Sequence, residues 1–234
     1  MPGKTFADTL NEVTDKCRNL DAPLAGRLQA FSDDIRALQP DFAAVMDRLV
    51  VKLQEAGAGE AAPAPGEAMP SFLLPDQKGH LLSLEELLER GPLAIAFHRG
   101  QWCPYCRINA AALAGIQAEI KSQGAELIAI TPNVERFNAE LASDAHAIFP
   151  VLSDMDNAYA LALNLAVYVG EEKKRTLQDV GVDIARFQAS DAWTLPIPAT
   201  FVVGQDGRIK ARFIDPDFRR RMAVEDILAA LKAA

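Results

Sequence analysis

Apolar positions in the N-terminal part of the chain recur at steps of three and four. Phe6, Leu10, Val13 and Cys17 form one set, and Leu24, Leu28, Phe31, Ile35 and Leu38 a second. Phe42, Val45, Met46, Leu49, Val50 and Leu53 form a third set with a wider face. That period lines up one stripe along one side of a helix. Pro23 and Pro40 interrupt the pattern where a proline suits a helix start rather than an interior. The pattern predicts two or three helices between Thr5 and about Gln54, each burying one stripe. The stripes suit a helical extension packed on the rest of the chain, and equally a dimerisation or partner surface.

From Ala56 to Pro70 the periodicity stops and the residues are small, with Pro and Gly, which reads as a linker. The expected organisation is a helical extension over 1–55, a linker over 56–69 and one α/β domain over 70–234. Beyond the linker, strand and helix patterns alternate. Ser71–Leu74, the Asp76-Gln77-Lys78-Gly79 turn and Leu81-Leu82 predict a small hairpin. Ser83 with Glu86 predicts a capping box that opens a short helix ended by Gly91. Pro92–His98 is short and apolar, the pattern of a buried strand. Ile108, Ala112, Leu113, Ile116 and Ile120 then follow at helical spacing, Gly124 closes that helix, and Ala125–Thr131 predicts a second strand. This β-α-β unit should carry parallel strands.

A helix over about Val134–Ala145, a strand over Ile148–Leu152 and a helix over Asp154–Asn164 are expected next. Tyr168–Ala192 shows no clear period and is read as irregular. Ala199–Val203 and Arg208–Ile214 flank Gly204-Gln205-Asp206-Gly207, a hairpin signal, and Met222–Ala233 predicts a terminal helix.

Composition narrows the function classes. The formal charge of −8 argues against non-specific binding of nucleic acid and against attraction to anionic membranes. No stretch approaches the length of a membrane span. Met1–Asp8 lacks an apolar signal core and carries an early acid, which predicts a cytoplasmic protein rather than an exported one. Three cysteines are too few for a disulfide-stapled scaffold.

Two of those cysteines carry the candidate chemistry. Cys103-Pro104-Tyr105-Cys106 lies between the apolar strand and the helix that follows it. A zinc site would need four tetrahedral ligands. Cys17, His80, His98 and His146 are scattered without ligand spacing, so no metal or cofactor is expected. A Cys-x-x-Cys pair beside a β-α-β pattern reads as a redox motif. The first cysteine, at the helix start, is expected to be exposed to solvent and to the unpaired amides, which favour its thiolate. The second lies one turn in and is placed to attack a mixed disulfide or a sulfenic acid on the first, or the reverse. Pro104 suits the first turn.

Arg99 and Arg107 add positive charge that stabilises a thiolate or is merely solvated. Trp102 reads as a shield over the thiol edge or a packed aromatic. Pro198, directly before a strand, is in a position to adopt a cis bond and expose backbone for docking an extended thiol substrate. Cys17 falls on the apolar stripe with Leu10 and Val13, which favours a buried structural thiol over a resolving or intersubunit one.

Three segments together resemble the thioredoxin-fold superfamily, and within it the peroxiredoxin-like branch of alkyl hydroperoxide reductase and thiol-specific antioxidant proteins. They are Pro70-Ser71-Phe72-Leu73-Leu74-Pro75-Asp76 with Gly79, Phe97–Cys106, and Pro198-Ala199-Thr200-Phe201-Val202-Val203 with Asp206-Gly207. The resemblance covers about Pro65 to Ala234 and leaves out the helical extension. It implies a central mixed sheet flanked by helices, and reduction of peroxides by cysteine.

Relative to the family pattern Pro-x-x-x-Thr-x-x-Cys, Cys106 takes the peroxidatic position, Cys103 the threonine's and Arg99 the proline's. Pro198 stands where those enzymes hold an arginine, as in thioredoxins. By thioredoxin logic Cys103 attacks and Cys106 resolves; by peroxiredoxin logic the roles reverse.

The leading expectation is a thiol peroxidase acting on hydrogen peroxide or organic hydroperoxides and recycled by a thioredoxin- or glutaredoxin-like reductant. A protein disulfide oxidoreductase is the alternative. A redox-sensing interaction protein, whose helical extension binds a partner, is a third.

Overall fold

The computed structural model describes residues 5–234. Three helices open the described chain: α1 (Phe6–Arg18), α2 (Leu24–Leu38) and α3 (Pro40–Glu55). Thr5 caps α1 in a reciprocal box with Asp8. Pro23 is the residue before α2, and Pro40 occupies the first turn of α3, as their fixed φ favours. The segment from 56 to 72 contains neither helix nor strand, yet it is docked. Ala62 and Met69 are buried, the Gly66 and Met69 amides donate to the Ile209 and Gly207 carbonyls, and Arg212 donates to the Ala62 and Pro63 carbonyls.

The α/β part follows in order: β1 (Leu73–Pro75), β2 (Leu81–Ser83), α4 (Leu84–Leu88), β3 (Leu93–Phe97), α5 (Pro104–Ser122), β4 (Glu126–Thr131), α6 (Glu135–Ala145) and β5 (Val151–Ser153). Then come α7 (Ala158–Ala162), β6 (Ala166–Tyr168), α8 (Glu171–Asp179), α9 (Ile184–Gln188), β7 (Thr194–Pro196), β8 (Ala199–Val203), β9 (Ile209–Ile214) and α10 (Val224–Lys232). The central sheet has the order β5-β4-β3-β8-β9. β3, β4 and β5 run parallel, while β8 is antiparallel to β3 and β9 to β8. This is the mixed sheet flanked by helices of a thioredoxin-like fold.

β3 is central and wholly buried, which explains its unbroken apolar run. Its side chains divide by parity. Leu93, Ile95 and Phe97 join a core with α4 and α7, whereas Ala94 and Ala96 join one with α5, α6 and α10. The small alanines let α5 approach the sheet and fix the start of that helix over the end of β3. The stripes of α1 and α2 close onto α5 within the same chain: Cys17, Leu24, Leu28, Phe31 and Ile35 share a buried cluster with Ile108.

Several expectations are corrected. The strand expected at Ile148–Leu152 is confined to β5, because Ile148 is solvent-exposed. The single helix expected over Asp154–Asn164 is a one-turn 3-10 helix over Met155–Asn157, left-handed at Asp156 and Asn157, followed directly by α7. Tyr168–Ala192 is not irregular. It holds α8 and α9, and Tyr168 ends β6, which pairs with β7. α8 escaped detection because Lys173, a polar residue, occupies a buried position four before Leu177 and masks the period.

Candidate active site

The loop from His98 to Trp102 leaves β3 and turns into α5. Gly100 makes that turn with φ +128°, and a Cβ there would lie 2.4 Å from Asn133 Oδ1, so only glycine fits. Cys103 is the N-cap of α5, with Pro104 at the first helical position. The Cys106 amide donates to the Cys103 carbonyl at 3.0 Å, which sets the second sulfur one turn along. Both cysteines are free thiols.

Cys103 is 0% exposed, against the expectation of an accessible first sulfur. The cause is the N-terminal helices. Phe31 and Ile35 of α2 and Phe42 and Met46 of α3 line one space with Cys103, Trp102 and Tyr105, and Leu177 of α8 lines it too. They leave a largely apolar cavity of about 50 Å3, which Cys103 lines and Cys106 does not. Phe31 meets Tyr105 edge-on at 4.9 Å. The Tyr105 hydroxyl and Ser32 Oγ lie 3.0 Å apart in a hydrogen bond, and burial pushes the phenol up to about 12.

Cations gather around the pair. The Arg99 amide donates to Cys106 Sγ at 3.3 Å, and Arg221 Nη2 approaches the same sulfur at 3.5 Å. The Arg99 guanidinium lies 3.9 Å from the centre of the Phe218 ring and 5.0 Å from that of Trp102. Lys173 Nζ lies 4.4 Å from the centre of the same Phe218 ring. Arg99 and Lys173 are 5% and 2% exposed. Among the described residues neither of them, nor Arg221, pairs with a carboxylate.

Burial pushes both thiols up. At Cys103 it is outweighed by hydrogen bonds from Cys106 and by the charges of Arg99 and Arg221, so this thiol falls well below the ordinary range. Cys106, buried and bonded to an anionic Cys103, is pushed well above it. The two sulfurs titrate as a pair that shares one negative charge.

The other expected residues are placed as follows. Arg107 points away from the sulfurs; it binds Asp144 at 2.8 Å and Asn11 at 2.8 Å, tying α5 to α6 and α1. No cis peptide bond occurs among the described residues, so Pro198 does not adopt the cis form; it lines a small cavity with Arg99, Lys173 and Phe218. Cys17 is buried beside Asp34, and burial raises its thiol. His98 is buried against Asn109 at 2.8 Å and lowered to about 3 by burial, so it stays neutral. No group of three or more His, Cys, Asp or Glu among the described residues could hold a metal.

Sequence reasoning missed Lys173, Phe218, Arg221 and the covering residues Phe31 and Ser32. The one visible signal was the run Arg219-Arg220-Arg221 after the turn at Asp215–Asp217.

Residues 65–212 match the model of the AhpC/TSA family. The chain belongs to that family. Solved structures with the AhpC/TSA-type fold include peroxidoxin BcpB from Mycobacterium tuberculosis. It is 22% identical, with a TM-score of 0.56, over 72% of this chain and 96% of that one. A mutant of peroxiredoxin 6 of Arenicola marina superposes with a TM-score of 0.58 at 18% identity, over 72% of each chain. A curated relative, the thiol-disulfide oxidoreductase ResA of Bacillus subtilis, is 23% identical over 154 residues, 65% of this chain and 68% of that protein. Family membership supports an oxidoreductase. No helix among the described residues is long and apolar enough to cross a membrane.

Proposed function

We propose that this AhpC/TSA protein is a thiol peroxidase in which Cys103 attacks the peroxide and Cys106 resolves it. The observation that carries this reading is the cavity: Cys103 lines it, Cys106 does not, and its size suits a small oxidant rather than a protein disulfide. A volume of about 50 Å3 holds roughly three or four water molecules, room for a peroxide of two oxygens beside Cys103, and because Cys103 is itself fully buried the oxidant meets its sulfur when the covering helices part.

The Cys103 thiolate attacks one peroxide oxygen; the S–O bond forms as the O–O bond breaks, and the departing oxygen is protonated. The Cys106 sulfur then attacks the sulfenic acid, forming the disulfide and releasing water. Arg99 and Arg221 stabilise the thiolate, Trp102 walls the cavity, and Pro198 packs beside Arg99. A thioredoxin- or glutaredoxin-like dithiol restores the pair, and cytoplasmic residence suits such a reductant. We read 1–55 as an extension whose helices gate the site, 56–69 as the strap joining it and 70–234 as the catalytic domain.

A second reading, a protein disulfide oxidoreductase, is favoured by the name of the Bacillus subtilis relative and by Pro198 directly before β8. Trp102 borders the reacting sulfur, so its emission distinguishes the two. Reduced wild type, Cys103→Ser and Cys106→Ser are mixed with hydrogen peroxide or an organic hydroperoxide. Rapid oxidation retained in Cys106→Ser and lost in Cys103→Ser is expected. Oxidation no faster than that of free cysteine would sink the peroxidase reading and leave disulfide exchange.

A further inference from the structure

We propose that Arg221 serves the resolving step: it holds the Cys106 sulfur and stabilises the negative charge that this sulfur develops as it attacks the oxidised Cys103. The inference rests on the proposed order of attack, Cys103 first, and assigns a residue to the second half of it.

Among the described residues, two donors from outside the dithiol reach its sulfurs, and both meet Cys106. The Arg99 amide lies 3.3 Å from Sγ and Arg221 Nη2 lies 3.5 Å from it. The amide is placed by the turn at Gly100, and the guanidinium by the loop before α10. Arg221 Nη1 donates to the Phe218 and Arg220 carbonyls. Phe218 is buried, and its ring packs edge-on against Tyr105 at 5.8 Å. The loop is thereby pinned to α5 one residue before Cys106.

No acid competes for this guanidinium. Asp217 is taken by Arg219 and Asp215 by Arg220, and Glu225 and Asp226 in the first turn of α10 are exposed. Of the other titratable groups around the dithiol, Arg107 of α5 is turned to Asp144. His98 is neutral against Asn109, and Lys173 of α8 faces the Phe218 ring.

In the reduced pair the charge sits on Cys103, which keeps Cys106 protonated. Once peroxide has turned Cys103 into a neutral sulfenic acid, that opposing charge is gone, and Arg221 and the Arg99 amide remain. Cys106 then loses its proton and its sulfur attacks that of Cys103. The S–S bond forms and the S–O bond breaks. The oxygen leaves as hydroxide and takes up the proton that Cys106 lost, so the products are a disulfide and water. The Cys106 sulfur is oxidised and the Cys103 sulfur reduced, with no further electron donor. Without the cation, Cys106 would have to ionise against its own burial.

The test follows the full-length reduced protein after one equivalent of hydrogen peroxide, as wild type, Arg221→Met and Arg221→Lys. Dimedone, which traps sulfenic acids, and mass spectrometry give the lifetime of the Cys103 sulfenic acid. That lifetime should lengthen about tenfold in Arg221→Met at neutral pH. Formation of the sulfenic acid should slow by less, and the lysine variant should recover most of the loss. The gap should close as pH rises and Cys106 ionises unaided, a dependence that a merely structural role would not produce. Arg221 borders an open groove with Leu28 and Ser32 of α2, so water can replace it at the two carbonyls and the fold should hold. Arg221→Gln supplies the comparison should the methionine variant not fold. An unchanged lifetime in a folded neutral variant, or a lengthening that is the same at every pH, would overturn the proposal. Absence of sulfenic acid from Cys103 in Cys106→Ser, where nothing resolves it, would instead overturn the order of attack beneath it.

Discussion

Replacing Phe31 by alanine tests whether the N-terminal helices govern access to Cys103. Phe31 is 2% exposed, packs on Tyr105 and walls the cavity from α2. A buried phenylalanine removes about 200 Å2 from water, and at about 25 cal/mol/Å2 that amounts to ~5 kcal/mol as an upper bound. Truncation to alanine in cores costs about 3–5 kcal/mol. If about 3 kcal/mol of that falls on the docking of α2 against α5, the open population rises roughly 100-fold. The assay is alkylation of Cys103 in the reduced protein by a bulky maleimide, located by mass spectrometry, beside a thermal melt. Wild type should react slowly and Phe31→Ala about two orders of magnitude faster at temperatures well below its melt. A lowered melting temperature with no change at Cys103 would refute the gating argument, since the helices would then stabilise the fold without guarding the thiol.

Three further outcomes follow from the site. His98 is neutral with a folded value near 3 against an ordinary 6.5, so the unfolded state binds the extra proton between those values. Stability should therefore rise with pH across that window by about 1.4 kcal/mol per unit, and His98→Gln, measured by urea unfolding at several pH values, should flatten the slope; an unchanged slope would contradict the assignment. Gly100→Ala should cost about 1–3 kcal/mol for its backbone, with a further loss from the clash that Asn133→Ala relieves; calorimetry of the single and double variants measures both. Arg107→Ala should loosen the clamp on Asp144 by about 1–2 kcal/mol and leave the Cys103 thiolate titration where it was; a shifted titration would show that Arg107 does act on the sulfur.

The peroxiredoxin-like frame was legible because it rests on local rules. An unbroken apolar run has to be a two-sided strand, as β3 is. A proline between periodic sets has to begin a helix, as at α2 and α3. Glycines at Gly91, Gly124 and Gly207 mark turns, each with positive φ. The dithiol could be named from its spacing and its place at a strand-to-helix junction. Its environment could not. Burial of Cys103 depends on α1–α3 folding back over α5, a long-range contact to which apolar stripes alone assign no partner.

The same limit hid the electrostatics. Arg99, Lys173 and Arg221 lie on three separate segments, the loop after β3, α8 and the loop before α10; the place of Arg99 before the dithiol marked it as a candidate, whereas Lys173 and Arg221 carry no local sign of the site. Only the tertiary fold brings Arg221 to the Cys106 sulfur and sets Lys173 across Phe218 from Arg99. Lys173 shows the reason most clearly: a polar residue on the buried face of α8 erased the helical period and, by the same placement, set a buried lysine against the Phe218 ring that Arg99 also faces. Sequence by itself picked out the two cysteines on which the proposed chemistry rests. Tertiary structure decided which sulfur holds the charge, because a thiolate is set by burial and by charges distant along the chain, and neither leaves a local pattern.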